Sequence, residues 1–329
     1  MSGRSWSLGR LALAAALGVI GCSSPVAVAD EPAEAGSKIY YLGASRVMAV
    51  DPSGRAPVVL VDQTAQAARG SVNDGIAIDP RRGHIYWTNM GRASEDDGYI
   101  MRSDLDGGEL TMVVPPGGAF TPKQLKIDLE GQKLYWADRE GMAIMRSNLD
   151  GSAIETLVQT GDPERDKGDA ARWCVGIALD LRSGQIYWTQ KGGDDAGEGM
   201  IRRAGIDIPP GQTASSRADV ETLFSNLPEP IDLDLDLERR LIYWTDRGDN
   251  TVSRAPMDPP VSADPSRRTD REILVRGLKE AIGVSIDVDG DIMAFTSLGG
   301  EIGVSSLDGK RMRMIAIDQG LLTGVEIAD

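Results

Sequence analysis

The sequence predicts an all-β protein, a six-bladed β-propeller whose blades each contain four antiparallel strands. Three observations support this fold class. A short motif recurs four times, as IYWTN at 85–89, LYWAD at 134–138, IYWTQ at 186–190 and IYWTD at 242–246. An alternating stretch that ends in aspartate precedes each copy, and Asp-Gly turns follow some copies. Repetition of one supersecondary unit at a near-constant period is typical of propellers and solenoids.

Each repeat unit contains four strand signals in a fixed order. The first is an alternating stretch such as GIAID at 75–79, and a short turn connects it to the motif, which is the second strand. The third strand is a run such as YIMRSDL at 99–105. In several units Asp-Gly then precedes a fourth apolar run, such as LTMVV at 110–114. Asp-Gly between two alternating runs strongly indicates a hairpin, so the four strands are expected to pair in chain order.

The spacing of the motifs gives the number of blades. The motif tyrosines lie 49, 52 and 56 residues apart, and one unit outward on either side stand the decayed copies IYYLG at 39–43 and MAFTS at 293–297. The first unit lacks the alternating stretch, whereas the chain finishes with such a stretch, GVEIAD at 324–329, and no motif after it. The C-terminal strand is therefore expected to complete the first blade and to close a ring over residues 38–329.

The motif, the Leu-Asp-Gly turn and the GIAID-like stretch resemble the YWTD repeats of the low-density lipoprotein receptor class B family across residues 38–329. Asn89, Ala137 and Gln190 depart from the family motif. Cysteine-rich modules do not flank the repeats in this sequence, so the resemblance does not extend to receptor biology. It implies a rigid ring that binds ligands, usually proteins, and performs no chemistry.

The aromatic residues of the motif are predicted to be structural. Tyrosine and tryptophan are adjacent in each motif, so on a strand they point to opposite faces and can pack against both neighbouring blades. These residues are Tyr86, Trp87, Tyr135, Trp136, Tyr187, Trp188, Tyr243 and Trp244. Asp138 and Asp246 are each followed eight residues later by an arginine, Arg146 and Arg254. We hypothesise an ion pair between strands, with a chance arrangement of surface charges as the alternative.

The N-terminal segment is expected to address the protein to a membrane. Residues 1–21 carry two arginines and then a short apolar run, as in a secretory signal peptide. VIGC at 19–22 resembles a bacterial lipobox, in which Cys22 would be acylated, and residues 22–37 read as a flexible tether. The protein is thus expected to be secreted and lipid-anchored to the bacterial cell membrane or outer membrane. The alternative is a free secreted protein.

Charge and composition exclude several functions. The formal net charge is −15, and a surface of that sign repels nucleic acid and anionic lipid, so contact with a membrane is expected only through the lipid anchor. The chain has two cysteines and one histidine, His84, which gives neither a disulfide framework nor a convincing nucleophile with a base. Cys174 is interpreted as a small buried apolar residue, with a reactive thiol as the alternative.

One first strand carries extra carboxylates. In DLDLDLE at 232–238, Asp232 and Asp234 stand where other units have mostly glycine, alanine or serine. In a propeller this strand lies nearest the central channel, where two carboxylates could hold a hard cation such as Ca²⁺. The alternative is that they meet Lys126, Lys279 or water in a wet channel.

Two functions remain after these exclusions. The first is a non-enzymatic binding or scaffolding module that uses the loop face of the ring to contact a protein or glycan of the cell envelope. The residues that open the first strands there are Asn73, Asp74, Lys123, Gln124, Trp173, Glu229, Lys279 and Glu280. Trp173 is the most suggestive, because an aromatic residue at a ring mouth is a natural anchor. The second is a metal-dependent, lactonase-like hydrolase with a cation in the channel, which rests on fold analogy alone.

Overall fold

The computed structural model describes residues 37–55, 57–65 and 70–328. These residues form a six-bladed ring. Each blade is a four-stranded antiparallel sheet, and five of the blades pair their strands in chain order. The predicted fold class is confirmed. The signal segment 1–21, Cys22 and nearly all of the tether 22–37 lie outside the described residues.

The first three blades have the following strands. Blade 1 contains β1 (Lys38–Gly43), β2 (Arg46–Val50) and β3 (Val58–Asp62). Blade 2 contains β4 (Asn73–Asp79), β5 (His84–Asn89), β6 (Gly98–Asp104) and β7 (Thr111–Ala119). Blade 3 contains β8 (Pro122–Asp128), β9 (Lys133–Asp138), β10 (Ala143–Asn148) and β11 (Glu155–Gln159).

The other three blades repeat this pattern. Blade 4 follows a 3₁₀ helix (Ala170–Arg172) and contains β12 (Cys174–Asp180), β13 (Gln185–Gln190), β14 (Gly199–Gly205) and β15 (Glu221–Leu227). Blade 5 contains β16 (Pro230–Asp236), β17 (Leu241–Asp246), β18 (Thr251–Pro256) and β19 (Glu272–Arg276). Blade 6 contains β20 (Ala281–Asp287), β21 (Ile292–Ser297), β22 (Ile302–Ser305) and β23 (Arg313–Ala316).

The last strand, β24 (Leu322–Ala328), pairs with β1 and gives blade 1 its fourth strand. Tyr40 lies opposite Glu326 in this pairing. The ring is therefore closed by the C-terminal strand, as the sequence predicts, and blade 1 has no unpaired edge at the closure.

The first strands of the blades, with β24 in blade 1, line the centre of the ring. β4, β8, β12, β16, β20 and β24 each contact the next one around the ring. Close approach requires glycine at some of these contacts: a Cβ atom added to Gly176 would lie 2.3 Å from the carbonyl oxygen of Ile231 in the next blade. We call these six strands the inner strands.

The hydrophobic core consists of six clusters, one between each pair of neighbouring blades. The tyrosine of one motif and the tryptophan of the next motif lie in the same cluster, as in Tyr135 with Trp188 and Tyr187 with Trp244. In the decayed copies Phe295 replaces the tryptophan opposite Tyr243. All eight motif aromatics are almost completely buried. The motif thus places one large side chain on each face of its strand and holds adjacent blades together.

Candidate functional site

One end of every blade carries the loops that the sequence analysis singled out. The beginning of each inner strand in blades 2 to 6 pairs with the end of the motif strand, as in Pro122 with Asp138 and Pro230 with Asp246. The loops that enter the inner strands therefore lie beside the loops that leave the motif strands. We call this end of the ring the mouth face.

The motif aspartates shape these loops, and they do not pair with the predicted arginines. Asp138 accepts hydrogen bonds from the backbone N–H groups of Phe120, Thr121 and Gly141 at 2.7–3.1 Å. Arg146 instead donates at 2.7 Å to Glu155, which lies on β11, the outermost strand of the same blade. The hypothesis of a pair with Asp138 is thus wrong, because register places Arg146 opposite Tyr135 and away from the end of the strand.

Asp246 has the same role in blade 5. Its Oδ1 accepts from the backbone N–H groups of Glu229 and Gly248 at 2.9 and 3.1 Å, whereas Arg254 donates to Glu272. Burial raises the pKa of both motif aspartates, Asp138 and Asp246, to about 6. In blades 3 and 5 the aspartate that ends the motif therefore ties the two loops of the mouth face together.

Asp74, Lys123 and Gln124 come together at the seam between blades 2 and 3. The ammonium group of Lys123 binds the Asp74 carboxylate, and Gln124 Nε2 lies 3.1 Å from Asp74 Oδ1. All three side chains are buried, and burial lowers the pKa of Lys123. These three side chains therefore bind one another and hold blades 2 and 3 together.

Trp173 lies between two cations. The guanidinium carbon of Arg139 is 5.1 Å from the centroid of the indole ring, and Lys191 Nζ is 5.8 Å from it. Distances of this size allow cation–π attraction. The side chain is half-buried, and its indole Nε1 makes no hydrogen bond to any described residue. Trp173 is thus a half-buried aromatic group held in place at the mouth face, and its indole Nε1 atom is itself buried.

Glu229 belongs to the network beside Trp173. Its carboxylate binds Lys191 at 2.5 Å and Arg247 at 2.8 Å, and Asp194 binds the same two cations at 2.9 and 2.8 Å. Glu229 is 2% exposed and Asp194 is largely exposed. The network links the loops of blades 4 and 5 and keeps Lys191 beside the indole.

The other predicted site residues lie apart from this network. Asn73 is fully buried and accepts a hydrogen bond from Asn89. Lys279 and Glu280 are exposed at blade 6, where Lys279 lies 3.6 Å from Glu301. The structure therefore brings Trp173 and Glu229 together through Lys191, places the Asp74 group at another seam, and leaves blade 6 separate.

Sequence reasoning missed three cations of the mouth face, those that follow the motif strands. Arg139, Lys191 and Arg247 each come directly after the last residue of a motif. Blades 2 and 6 have Met90 and Leu298 at this position, so a comparison of the residue after each motif would have found the basic set.

The channel contains the carboxylates that the sequence analysis assigned to a cation. Asp232 accepts from the backbone N–H of Val284 in the next blade at 3.0 Å, and Asp234 accepts from Ile286 in the same way. The ammonium of Lys126 lies 3.8 Å from Asp234 and 3.0 Å from Glu326, which belongs to β24.

Asp232 is buried, and the side chains of Lys126, Asp234 and Glu326 are about one-fifth exposed or less. Burial raises the pKa of Asp232 to about 8 and also raises that of Glu326. Burial disfavours the charged form of Lys126, but Asp234, Glu326 and Asp232 outweigh it and raise the Lys126 pKa. A lysine thus meets the carboxylates, as the alternative interpretation of the sequence expected. No group of three or more metal-binding side chains occurs among the described residues, and the calcium site stays a prediction.

The chain belongs to a family of low-density lipoprotein receptor-related proteins. It is 37% identical over 294 residues to low-density lipoprotein receptor-related protein 1 of Pyricularia oryzae, covering 86% of this chain and 92% of that protein. It is also 40% identical over 265 residues to the 3-hydroxyacyl-CoA dehydrogenase-like protein LAM1 of Cochliobolus heterostrophus. That match covers 78% of this chain but only 56% of the length of LAM1. No family model matches the chain.

A solved structure has the same fold. A chain of the nidogen/laminin complex superposes with a TM-score of 0.67 at 20% identity, covering 89% of this chain and 99% of that chain. This likeness agrees with the YWTD-type propeller that the motifs indicate. Within the part of the chain that the structure describes, no helix has the length and apolarity needed to cross a membrane.

Proposed function

We propose that this protein is a non-enzymatic binding module whose mouth face captures a protein partner, with Trp173 as the anchor. The observation that carries the proposal is the position of Trp173 between Arg139 and Lys191. Tryptophan and arginine are the residues most enriched where protein interfaces concentrate their binding energy. An indole that is already held in place loses little conformational entropy on binding.

The charge around Trp173 favours a polar interface. Asp194, Arg247 and Lys191 form a hydrogen-bonded rim beside the indole, and Asp194 is exposed to solvent. An apolar centre surrounded by charged groups is the usual arrangement of a protein interface. The comparisons support the same function, since one of the related proteins is named for a receptor and the chain of similar fold comes from a nidogen/laminin complex.

Photocrosslinking from two ends of the ring tests the use of the mouth face. A photoreactive phenylalanine analogue is placed at Lys279 or Asp195, and for comparison at Arg239 or Asp289, which are exposed in turns at the other end of the blades. We expect a discrete crosslinked protein from the mouth positions only. Trp173→Ala should reduce its yield at least about tenfold, whereas Leu110→Ala, at an exposed apolar residue of the opposite end, should not. Equal products from both ends would contradict the proposal.

The finer part of the proposal concerns location. We infer that acylated Cys22 tethers the propeller to the membrane and that its partner is a protein or glycan of the cell envelope. Cys22→Ser should move the protein from the membrane fraction to the soluble fraction, and mass spectrometry of the wild-type N-terminal peptide should show the acyl mass. Wild-type protein without acyl chains would exclude the lipid tether while leaving the role of the mouth face intact.

A further inference from the structure

The seams between blades differ at one position of the hairpin that joins each inner strand to the motif strand. In blades 2 to 6, the residue directly before the motif strand has a positive φ. These residues are Gly83, Gln132, Gly184, Arg240 and Asp291, with φ between 49° and 71°. The backbone is thus equivalent at this position in five blades, while the side chain ranges from glycine to arginine.

Arg240 fills the seam between blades 4 and 5. Its guanidinium group donates to Asp180, at the end of inner strand β12, at 2.7 Å. It also donates through Nε and Nη2 to Asp258, two residues after β18, at 2.8 and 3.2 Å. One guanidinium group therefore bridges two carboxylates that belong to different blades, which is the fork geometry that arginine supplies.

The seam between blades 3 and 4 has the two carboxylates without this guanidinium group. Asp128 ends inner strand β8 as Asp180 ends β12, and Asp207 lies two residues after β14 as Asp258 lies two residues after β18. The position of Arg240 is taken by Gly184. A cavity of about 990 Å³ opens here, and Asp128, Gly184 and Asp207 are all in its lining.

Among the described residues, no arginine from either side of the seam binds Asp128. The equivalent aspartates Asp79 and Asp236 bind Arg82 and Arg239, three residues on in their own turns, at 2.9 and 3.0 Å. Asp128 has Gly131 at that position, and its Oδ1 accepts the backbone N–H groups of Glu130 and Gly131. Its Oδ2 accepts no hydrogen bond from any described residue.

We propose that the cavity between blades 3 and 4 is a receptor site for an arginine side chain of a partner protein. The incoming guanidinium group takes the place that Arg240 has one seam further on, and it bridges Asp128 and Asp207. The Asp207 side chain is 84% exposed, and Arg146 is the only described residue that donates to its carboxylate, through Oδ1, so Oδ2 keeps acceptor capacity. The site lies at the end of the blades away from the mouth face, and it is distinct from the Trp173 network.

The cations that line the cavity do not occupy the position between Asp128 and Asp207. Arg146 donates to Glu155 at 2.7 Å and stacks on Tyr135, as Arg203 does on Tyr187 beside the filled seam. Lys133 donates to Asn148 at 2.6 Å. Arg182, the remaining cation of the lining, is exposed in the turn and makes no ion pair among the described residues.

The test is an amide NMR titration of the full protein with N-acetyl-L-arginine amide. We expect saturable shifts of the glycine amides in the lining, Gly131, Gly184 and Gly205. The uncharged isostere N-acetyl-L-citrulline amide should bind at least about tenfold more weakly, because charge-assisted hydrogen bonds are the stronger ones. Asp128→Asn should weaken arginine binding to a similar extent while retaining an acceptor oxygen for the turn.

Two exchange variants complete the test. Gly184→Arg should abolish binding, since it supplies the guanidinium group from within; a Cβ atom at Gly184 meets no atom within 4 Å, and Arg240 shows that this backbone accepts arginine. Arg240→Gly should create a second site at the seam between blades 4 and 5. Equal affinity for citrulline, binding that survives Gly184→Arg, or free L-arginine binding at least tenfold more tightly than the capped form would overturn the proposal.

Discussion

At the scale of single residues, the aspartate that ends the motif shows how a prediction from sequence and the structure can differ. The spacing of Asp246 and Arg254 suggested an ion pair, but the carboxylate serves backbone N–H groups of two loops instead. Sequence spacing gives the register of a strand, and it does not show which loop folds over the end of that strand. The groups that Asp246 binds lie in a loop 17 residues away and in the turn that follows.

Asp246 should make stability depend on pH. Its folded-state pKa of about 6 is above the usual value near 4, so the folded protein holds the proton more tightly, and stability from this group falls as pH rises from 4 through 6. Asp246→Asn keeps the Oδ1 acceptor and replaces Oδ2, which accepts no hydrogen bond from any described residue. As pH rises from 4 to 7.5, we expect the free energy of unfolding of the variant to increase relative to that of wild type by up to about 3 kcal/mol. Urea unfolding at both pH values measures this change.

A matched substitution should behave in the opposite way. The hydrogen bond from Arg217 lowers the pKa of Asp219, so this group stabilises the fold above the usual pKa and its contribution is lost as pH falls. Asp219→Asn should therefore be less stable than wild type by a nearly constant amount from pH 7.5 to pH 4, and the difference should shrink only below pH 4. If the two variants responded to pH with the same sign, burial would not be the cause of the Asp246 shift.

At the scale of strands and blades, the motif threonine links neighbouring inner strands. Thr245 Oγ1 accepts the backbone N–H of Asp232 at 3.0 Å and donates to the carbonyl oxygen of Ile282 in the next blade at 2.5 Å. Thr88 and Thr189 make the same pair of bonds. The sequence predicted blades that pack through tyrosine and tryptophan, but threonine on a strand has no pattern that reveals a polar partner in another blade.

Thr245→Val should test this link. Valine keeps the shape of the side chain but leaves a buried N–H and a buried carbonyl oxygen without their partner, so we expect a loss of about 1–3 kcal/mol in the free energy of unfolding. Thr111→Val is the control, because Thr111 is exposed on β7 and should change stability by less than about 0.5 kcal/mol. Chemical denaturation of both variants measures the difference. Equal losses would contradict the proposal that Thr245 links neighbouring blades.

At the scale of the whole ring, the sequence predicted six blades and their closure, but it did not fix which groups meet in the channel. Asp234 and Lys126 belong to blades 5 and 3, and Glu326 enters with β24. The predicted Ca²⁺ ligands Asp232 and Asp234 were recognised because they break the repeat. Their meeting with Lys126 follows from closure, which also brings Lys126 against Glu326, a residue 200 positions further along the chain.

Lys126→Met should therefore destabilise the ring in a manner that depends on pH. Removal of the ammonium leaves three carboxylates with little solvent, and loss of one partner of a buried ion pair costs about 3–5 kcal/mol. The pKa values of Asp232 and Glu326, already raised by burial, rise further without the ammonium. At pH 5 the folded variant holds protons on these groups at little cost; at pH 8 the same carboxyl groups ionise freely in the unfolded chain but not in the folded one, so the cost is largest.

Unfolding by urea at pH 5 and pH 8 measures this dependence, with Lys133→Met as the control. Lys133 donates to the uncharged Asn148, so its loss should cost little and should not vary with pH. Adding Asp234→Asn and Glu326→Gln to Lys126→Met should restore most of the stability at pH 8, because it removes the charges that the ammonium balanced. A cost that is equal at both pH values would mean that Lys126 stabilises the ring by filling space in the channel and not by its charge.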